Sequence, residues 1–197
     1  SDDGRWIVFS SNADDLAPGD TNGRHDVFVH DRLLRTNLLV SVTGDGRSAV
    51  AGANWGRISA GGRSVLFQSR SPDLAGSSPN PGPNLFVRDL SRQRTTLISV
   101  DASTGKALGQ EAANAWISGD GREVIQDLQI TYTYQDDHWE GRPARLLHWD
   151  EATGVTEDWT QRLTALAGGA RFILAAGVCD RAGRAAVAGW RDERIRV

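Results

Sequence analysis

The sequence predicts an all-β protein built of repeated four-stranded antiparallel sheets, and three observations carry that expectation. The chain repeats itself at a fixed interval of 58 residues. Ser1-Asp-Asp-Gly-Arg5 returns as Ser59-Ala-Gly-Gly-Arg63, Asp26-Val-Phe-Val-His-Asp31 as Asn84-Leu-Phe-Val-Arg-Asp89, and Leu39-Val-Ser-Val42 as Leu97-Ile-Ser-Val100. A third copy opens at Ser118-Gly-Asp-Gly-Arg122 and a worn fourth at Asp180-Arg-Ala-Gly-Arg184. Within each copy the apolar residues alternate or form short runs, and no 3.6-residue period is sustained, which is the punctuation of strands. The runs are separated by Asp-Gly and Gly-Gly pairs, which supply the positive φ of a tight hairpin turn. A sheet of four short strands cannot bury both faces alone, so copies stacked about an axis are the solution expected for repeats of this length, and the fold class is a β-propeller.

In the second copy, the most complete, strands are expected near Asn54 to Ser59, Ser64 to Arg70, Asn84 to Leu90 and Thr95 to Asp101. Counted from turn to turn, the blade repeats run 1–58, which lacks its first strand, then 59–117, a divergent 118–170 and a partial 171–197, all in one propeller domain. In the last of these, Phe172 to Val178 and Ala185 to Trp190 are the expected strands. About three and a half blades result, fewer than the four to eight of a closed ring. The expectation is therefore a piece of a larger propeller. A complete chain of this size would leave open edges and self-associate.

Composition narrows the function. With 39% hydrophobic and 24% charged residues, the chain has the make-up of an ordinary globular domain. The formal charge of −3 is spread in mixed sign with no basic stripe, so nucleic acid is not an expected partner. No apolar run approaches the roughly 20 residues that span a bilayer, so membrane insertion is not expected either. The single Cys179 has no partner for an internal disulfide and lies beside Val178, as a small buried hydrophobe would.

The segments Ser1-Asp-Asp-Gly-Arg-Trp-Ile-Val-Phe-Ser-Ser11 and Asp15-Leu-Ala-Pro-Gly-Asp-Thr-Asn-Gly-Arg-His-Asp-Val-Phe-Val-His-Asp31 resemble the TolB-like, WD-repeat-like propeller repeat of exported bacterial proteins. The resemblance is close over residues 1–43; residues 59–101 keep the strands and replace the acidic loop, and the later copies keep the turn and strand pattern alone. It implies a propeller in a periplasmic or extracellular protein, serving as a binding platform or as a gating domain attached to a serine peptidase. Fold alone does not imply function.

The first candidate site is the loop Gly19-Asp-Thr-Asn-Gly-Arg-His-Asp26, where Asp20, Asn22 and Asp26 stand at positions one, three and seven about a glycine bend. This spacing suits oxygen ligands around a hard cation such as Ca²⁺. Arg24 occupies a position where an EF-hand-type loop carries another ligand, and no bidentate Glu follows. The other reading has Asp20 and Asn22 shaping turns and Asp26 opening a strand. The corresponding loop of the second copy, Ser77-Ser-Pro-Asn-Pro-Gly-Pro-Asn84, retains turn residues but loses both acids, so any cation belongs to the first blade.

The second candidate is the polar insert Gln135-Asp-Asp-His-Trp-Glu-Gly141, in which Trp139, with Tyr132 and Tyr134 upstream, is a contact for a ligand or partner. His25, His30, His138 and His148 show no compact metal-ligand spacing and are expected at surfaces or strand edges. There is no Gly-x-Ser-x-Gly elbow and no Cys-His arrangement, and Ser10, Ser11, Ser41 and Ser99 fall within strands, facing solvent or a neighbour. Asp136, Asp137 and Glu140 offer carboxylates for a glycosidase, but adjacent strand residues point to opposite faces. Trp6, Trp55 and Trp116 are expected to pack between blades. The repeated Asp31, Asp89 and Asp150 are expected to cap turns or pair with Arg5, Arg63 and Arg122.

The expected function is a non-catalytic interaction module presenting loops to a protein, a peptide or a glycan. The alternatives are the gating propeller of a larger serine hydrolase and, more remotely, a propeller glycosidase. No cofactor is expected beyond Ca²⁺ at the first-repeat loop.

Overall fold

The structure is a computed structural model that describes residues 1–75, 82–109, 112–128, 132–135, 138–141, 145–160, 172–179 and 185–191. Its regular elements begin with β1 (Trp6–Ser11), β2 (Asp26–Asp31) and β3 (Thr36–Leu39), which form a three-stranded antiparallel sheet in that order. The strands β4 (Asn54–Ile58), β5 (Ser64–Ser69), β6 (Asn84–Asp89) and β7 (Arg94–Leu97) form a four-stranded meander. The 58-residue interval maps β1 onto β5, β2 onto β6 and β3 onto β7. Among the described residues the first sheet has three strands and no counterpart of β4.

The third sheet contains β8 (Ala112–Ile117), β9 (Glu123–Leu128), β12 (Arg145–Asp150) and β13 (Val155–Asp158) in the order β13-β12-β9-β8. Between β9 and β12 the chain makes a separate hairpin of β10 (Tyr132–Gln135) and β11 (His138–Gly141). Last come β14 (Phe172–Cys179) and β15 (Ala185–Arg191), paired antiparallel and reaching one residue beyond both expected strand ends. Each four-stranded sheet begins with the strand that precedes its repeated turn.

Successive sheets stack face to face. Val27, Val29 and Val40 of the first sheet and its loops meet Val65, Phe67 and Phe86 of the second, while Leu66, Leu85 and Val87 on the other face of the second meet Val124 and Trp149 of the third. The alternation along β5 makes this possible: Val65 and Phe67 point to one neighbour and Leu66 to the other, and all six residues of the strand are buried. A strand buried on both faces is the signature of an interior blade. Gly56 in β4 permits the close approach, because a Cβ there would meet Val8 and Val27 side chains of the first sheet. Four-stranded meanders stacked this way, with β4 lying between β1 and β8, are propeller blades.

The repeated turns fasten the stack. Gly4, Gly62 and Gly121 have φ of +67°, +72° and +76°, as Asp-Gly and Gly-Gly hairpins require. Backbone bonds then link consecutive turns, from Asp2 N–H to the Ala60 carbonyl at 2.9 Å and from Gly61 N–H to the Gly119 carbonyl at 3.0 Å. Trp6 packs on the first core cluster, and Trp55 and Trp149 belong to the second, in keeping with tryptophan placed between blades.

Arg5 binds Asp31 at 2.7 Å and Arg63 binds Asp89 at 2.7 Å, joining the repeated turns to the ends of β2 and β6. The third copy departs from the pattern. Asp150 caps its turn through the Ala152 N–H, while Arg122 lies 3.8 Å from Glu151. Glu151 also receives Arg63 and Arg92 at 2.6 Å, so one carboxylate of the third blade gathers the cations of the second. The Arg5 hydrogen bonds hold the Asp31 carboxyl down to about 2.

Candidate functional site

Loop Gly19 to Asp26 is shaped by a second segment, Ser41 to Ala49, that the strand pattern did not single out. The Ser48 N–H donates to the Gly19 carbonyl at 3.1 Å, and the Ser48 hydroxyl accepts from the Thr21 N–H at 3.1 Å. Residues on both sides of Asp20 are thus held by one serine. Asn22 follows: its Nδ2 donates to the Ala49 carbonyl and to Asp26 Oδ2, both at 2.7 Å, and its Oδ1 accepts from the Arg24 N–H at 2.7 Å. That last bond is the side-chain turn expected of Asn in such a loop.

Asp26 is wholly buried at the start of β2. Its Oδ1 accepts the Ser41 hydroxyl at 2.6 Å, and Ser41 Oγ accepts the Val27 N–H at 3.0 Å. Blade two repeats this clasp with a neutral residue: Ser99 Oγ donates to Asn84 Oδ1 at 3.1 Å and accepts the Leu85 N–H at 2.9 Å. Ser41 and Ser99 are fully buried and lie just beyond β3 and β7 rather than within strands, each facing a neighbour in a structural clasp. Their recurrence in Leu-Val-Ser-Val and Leu-Ile-Ser-Val was the signal available in the sequence.

Burial pushes the Asp26 carboxyl up to about 6 and outweighs the Ser41 and Asn22 hydrogen bonds, with the nearby Asp20 charge adding to the rise. Asp20 itself is 6% exposed, and neither of its carboxylate oxygens has a hydrogen-bond partner. Burial raises its pKa as well; the Asn22 N–H offsets part of this without completing a hydrogen bond, and Asp14 adds a like charge. The three residues singled out by spacing are therefore brought together, with two carboxylates under tension and Asn22 occupied as a positioning side chain.

A pH prediction follows from Asp26. A carboxyl whose pKa is higher in the fold than in the unfolded chain contributes stability that is present below about pH 4 and is lost as pH rises through about 6. Asp26→Asn, which installs the residue of blade two, removes that loss. In chelator, urea melts should show the variant gaining on the wild type as pH rises from about 4 to about 6.5, by on the order of 2–3 kcal/mol over that window, and levelling off above it. A difference independent of pH would show that Asp26 is not the titrating group.

Of the second candidate, Tyr132 and Tyr134 lie in β10 and Trp139 in β11. Tyr134 is the register partner of Trp139, and Tyr132 pairs with Gly141. The segment expected to be a loop is thus a hairpin in addition to the four strands of its blade. Asp136 and Asp137 lie outside the described residues, and Glu140 pairs with Thr133 in the hairpin.

His30 Nδ1 lies 2.8 Å from Asn37 Oδ1, and His25 is exposed. His148 departs from the surface expectation: it is buried, stacks on Trp159 with centroids 4.0 Å apart and has Glu123 at 3.4 Å. Among the described residues no group of three or more His, Cys, Asp or Glu side chains clusters as a metal site. A cleft of about 130 Å³ lies between the second and third blades, lined by Asp89, Arg92, Arg94, Trp149 and Glu151. Its walls carry the interblade ion-pair network. No helix among the described residues is long and apolar enough to cross a membrane.

The class these features define is a run of β-propeller blades, and it rests on the stacked sheets themselves. No protein-family model matches the chain. No curated protein sequence matches it either. Similar solved structures include the β-propeller domain of the Trilobed protease from Pyrococcus furiosus, at 12% identity and TM-score 0.48 over 79% of this chain and 39% of that one. The putative TolB from Agrobacterium tumefaciens is 16% identical with TM-score 0.44, covering 80% of this chain and 46% of that chain. TolB from Acinetobacter baumannii is 15% identical with TM-score 0.42, covering 79% and 30%. The chain spans less than half the length of each.

Proposed function

We propose that this chain is a non-catalytic binding module that presents blade loops to a protein, peptide or glycan partner in an exported protein. The observation that supports the reading is the β10–β11 hairpin. Features repeated between blades serve the scaffold: the turn glycines recur in the first three, and the Arg–Asp pairs and the buried serines in the first two. The hairpin breaks the repeat, adds two strands to the third blade's connection, and carries Tyr132, Tyr134 and Trp139 in one short antiparallel pair. Aromatic residues supply large contact area at low conformational cost and dominate binding hot spots.

Peptide and glycan arrays probed with the whole chain test the proposal. Specific binding should fall roughly tenfold or more in Trp139→Ala, with the far-ultraviolet spectrum unchanged. Binding indifferent to both Trp139→Ala and Tyr134→Ala would remove the hairpin from the site. Turnover of a peptide or aryl glycoside by the purified chain would overturn the non-catalytic reading.

A further inference from the structure

We infer that the first blade binds one hard divalent cation of the Ca²⁺ class between Asp20 and Asp26, on the loop clamped by Ser48 and Asn22.

The inference begins with an unsatisfied group. A buried carboxylate normally accepts several hydrogen bonds or meets a positive charge, because removing an ionised oxygen from water without a partner is costly. Asp20 is 94% buried by its 6% exposure and has neither. The backbone on both sides of it is held through the Ser48 bonds to Gly19 and Thr21, which fixes the stretch of loop that carries the enclosed carboxylate. Asp26 is the second buried carboxylate of the same loop, aligned by Ser41 on one oxygen and by Asn22 on the other. Two carboxylates confined together repel unless something positive lies between them. Asn22, in turn, grips Asp26 and the Ala49 carbonyl with one amide, so it holds the pocket's oxygens in place without itself being a ligand.

The second blade serves as an internal control. At the two positions where the first blade has Asp20 and Asp26, the second has Ser78 and Asn84, so both charges are missing together. Asn84 is satisfied by protein alone: its Oδ1 accepts from the Gly109 N–H at 3.0 Å and from Ser99, and its Nδ2 donates to the Gly82 carbonyl at 3.1 Å. A loop needing acid only for its shape would not leave Asp20 without partners in one blade and dispense with it in the next.

The donors are all oxygen, which selects Ca²⁺ or a similar hard ion over thiophilic metals. Ca²⁺ takes six to eight oxygens, of which two carboxylates supply at most four, with backbone carbonyls and water completing the shell. So few acidic ligands place the affinity in the range of extracellular modules, a Kd of about 10⁻⁴–10⁻³ M.

The test uses the whole chain, stripped with chelator and titrated with CaCl₂. Calorimetry should find one ion per chain, and the melting temperature should rise by roughly 5–10 °C at a hundredfold excess over Kd. Asp20→Asn removes the buried charge, so it should melt at or above the wild type in chelator and no longer respond to calcium. Asp26→Asn should lose the response as well. No binding by the wild type at 10 mM CaCl₂, a response undiminished in Asp20→Asn, or an Asp20→Asn chain that melts well below the wild type in chelator would each overturn the site.

Discussion

Gly62→Ala should cost about 2–5 kcal/mol of stability, against about 1–2 kcal/mol for Gly4→Ala at the same place in the preceding repeat. Both glycines have positive φ, +72° at Gly62 and +67° at Gly4, and a Cβ at either meets the strain of the left-handed region. They differ in what lies above them. A Cβ on Gly4 would meet the side-chain end of Arg32 at 3.5 Å, an ordinary contact, whereas a Cβ on Gly62 would fall inside the van der Waals envelope of the Trp6 indole, which is packed on the core. Overpacking of this kind adds roughly 1–3 kcal/mol. Urea unfolding of the two variants decides the matter. Equal costs would mean that the turn conformation is all that matters, and recovery of the excess in a Gly62→Ala, Trp6→Ala double variant would locate it in the Trp6 contact.

Phe67→Ala should be of similar size or larger, about 3–5 kcal/mol, through loss of buried surface and the cavity left behind. Phe67 is fully buried on β5, stacked on Phe86 at 5.6 Å and pressed against Val27 and Val29 of the first blade. Its counterpart Phe9 makes a nearly identical stack with Phe28 at 5.5 Å but remains half-buried. Phe9→Ala should therefore cost well under half as much. A comparable loss at both positions would show that the pairing within a sheet, not the packing between sheets, carries the stability.

Much of the fold was legible because its signals are local. The hairpin glycines, the period-two runs around Phe67 and Phe86, and the Arg5–Asp31 and Arg63–Asp89 pairs all lie within one repeat, where a missing turn or an exposed apolar face is ruled out by short-range chemistry. The β10–β11 hairpin was missed as a hairpin because Gln135 to Gly141 reads as a polar insert, and among the described residues its strands pair with each other alone. Asp150 takes the turn-capping role open to the repeated Asp, and the Glu151 contact of Arg122 was not legible, since the repeat says nothing of a carboxylate shared between blades. His148 reads as an edge residue until Trp159, eleven positions later, stacks on it.

The candidate cation loop divides the same way. Spacing alone brought Asp20, Asn22 and Asp26 into one loop, but spacing is silent on burial. That Asp20 is enclosed and unpartnered depends on Ser48, and that Asp26 is held beside it depends on Ser41 and Ala49, all more than a dozen residues downstream. By itself the sequence determined the strands, their turns and the blade as a unit, because backbone propensity and hairpin geometry act over a few residues. The tertiary structure alone decided which glycines are pinned by a neighbouring tryptophan, which carboxylates lose their water and which cations share Glu151, because desolvation and close packing are properties of surfaces that meet only when the blades stack.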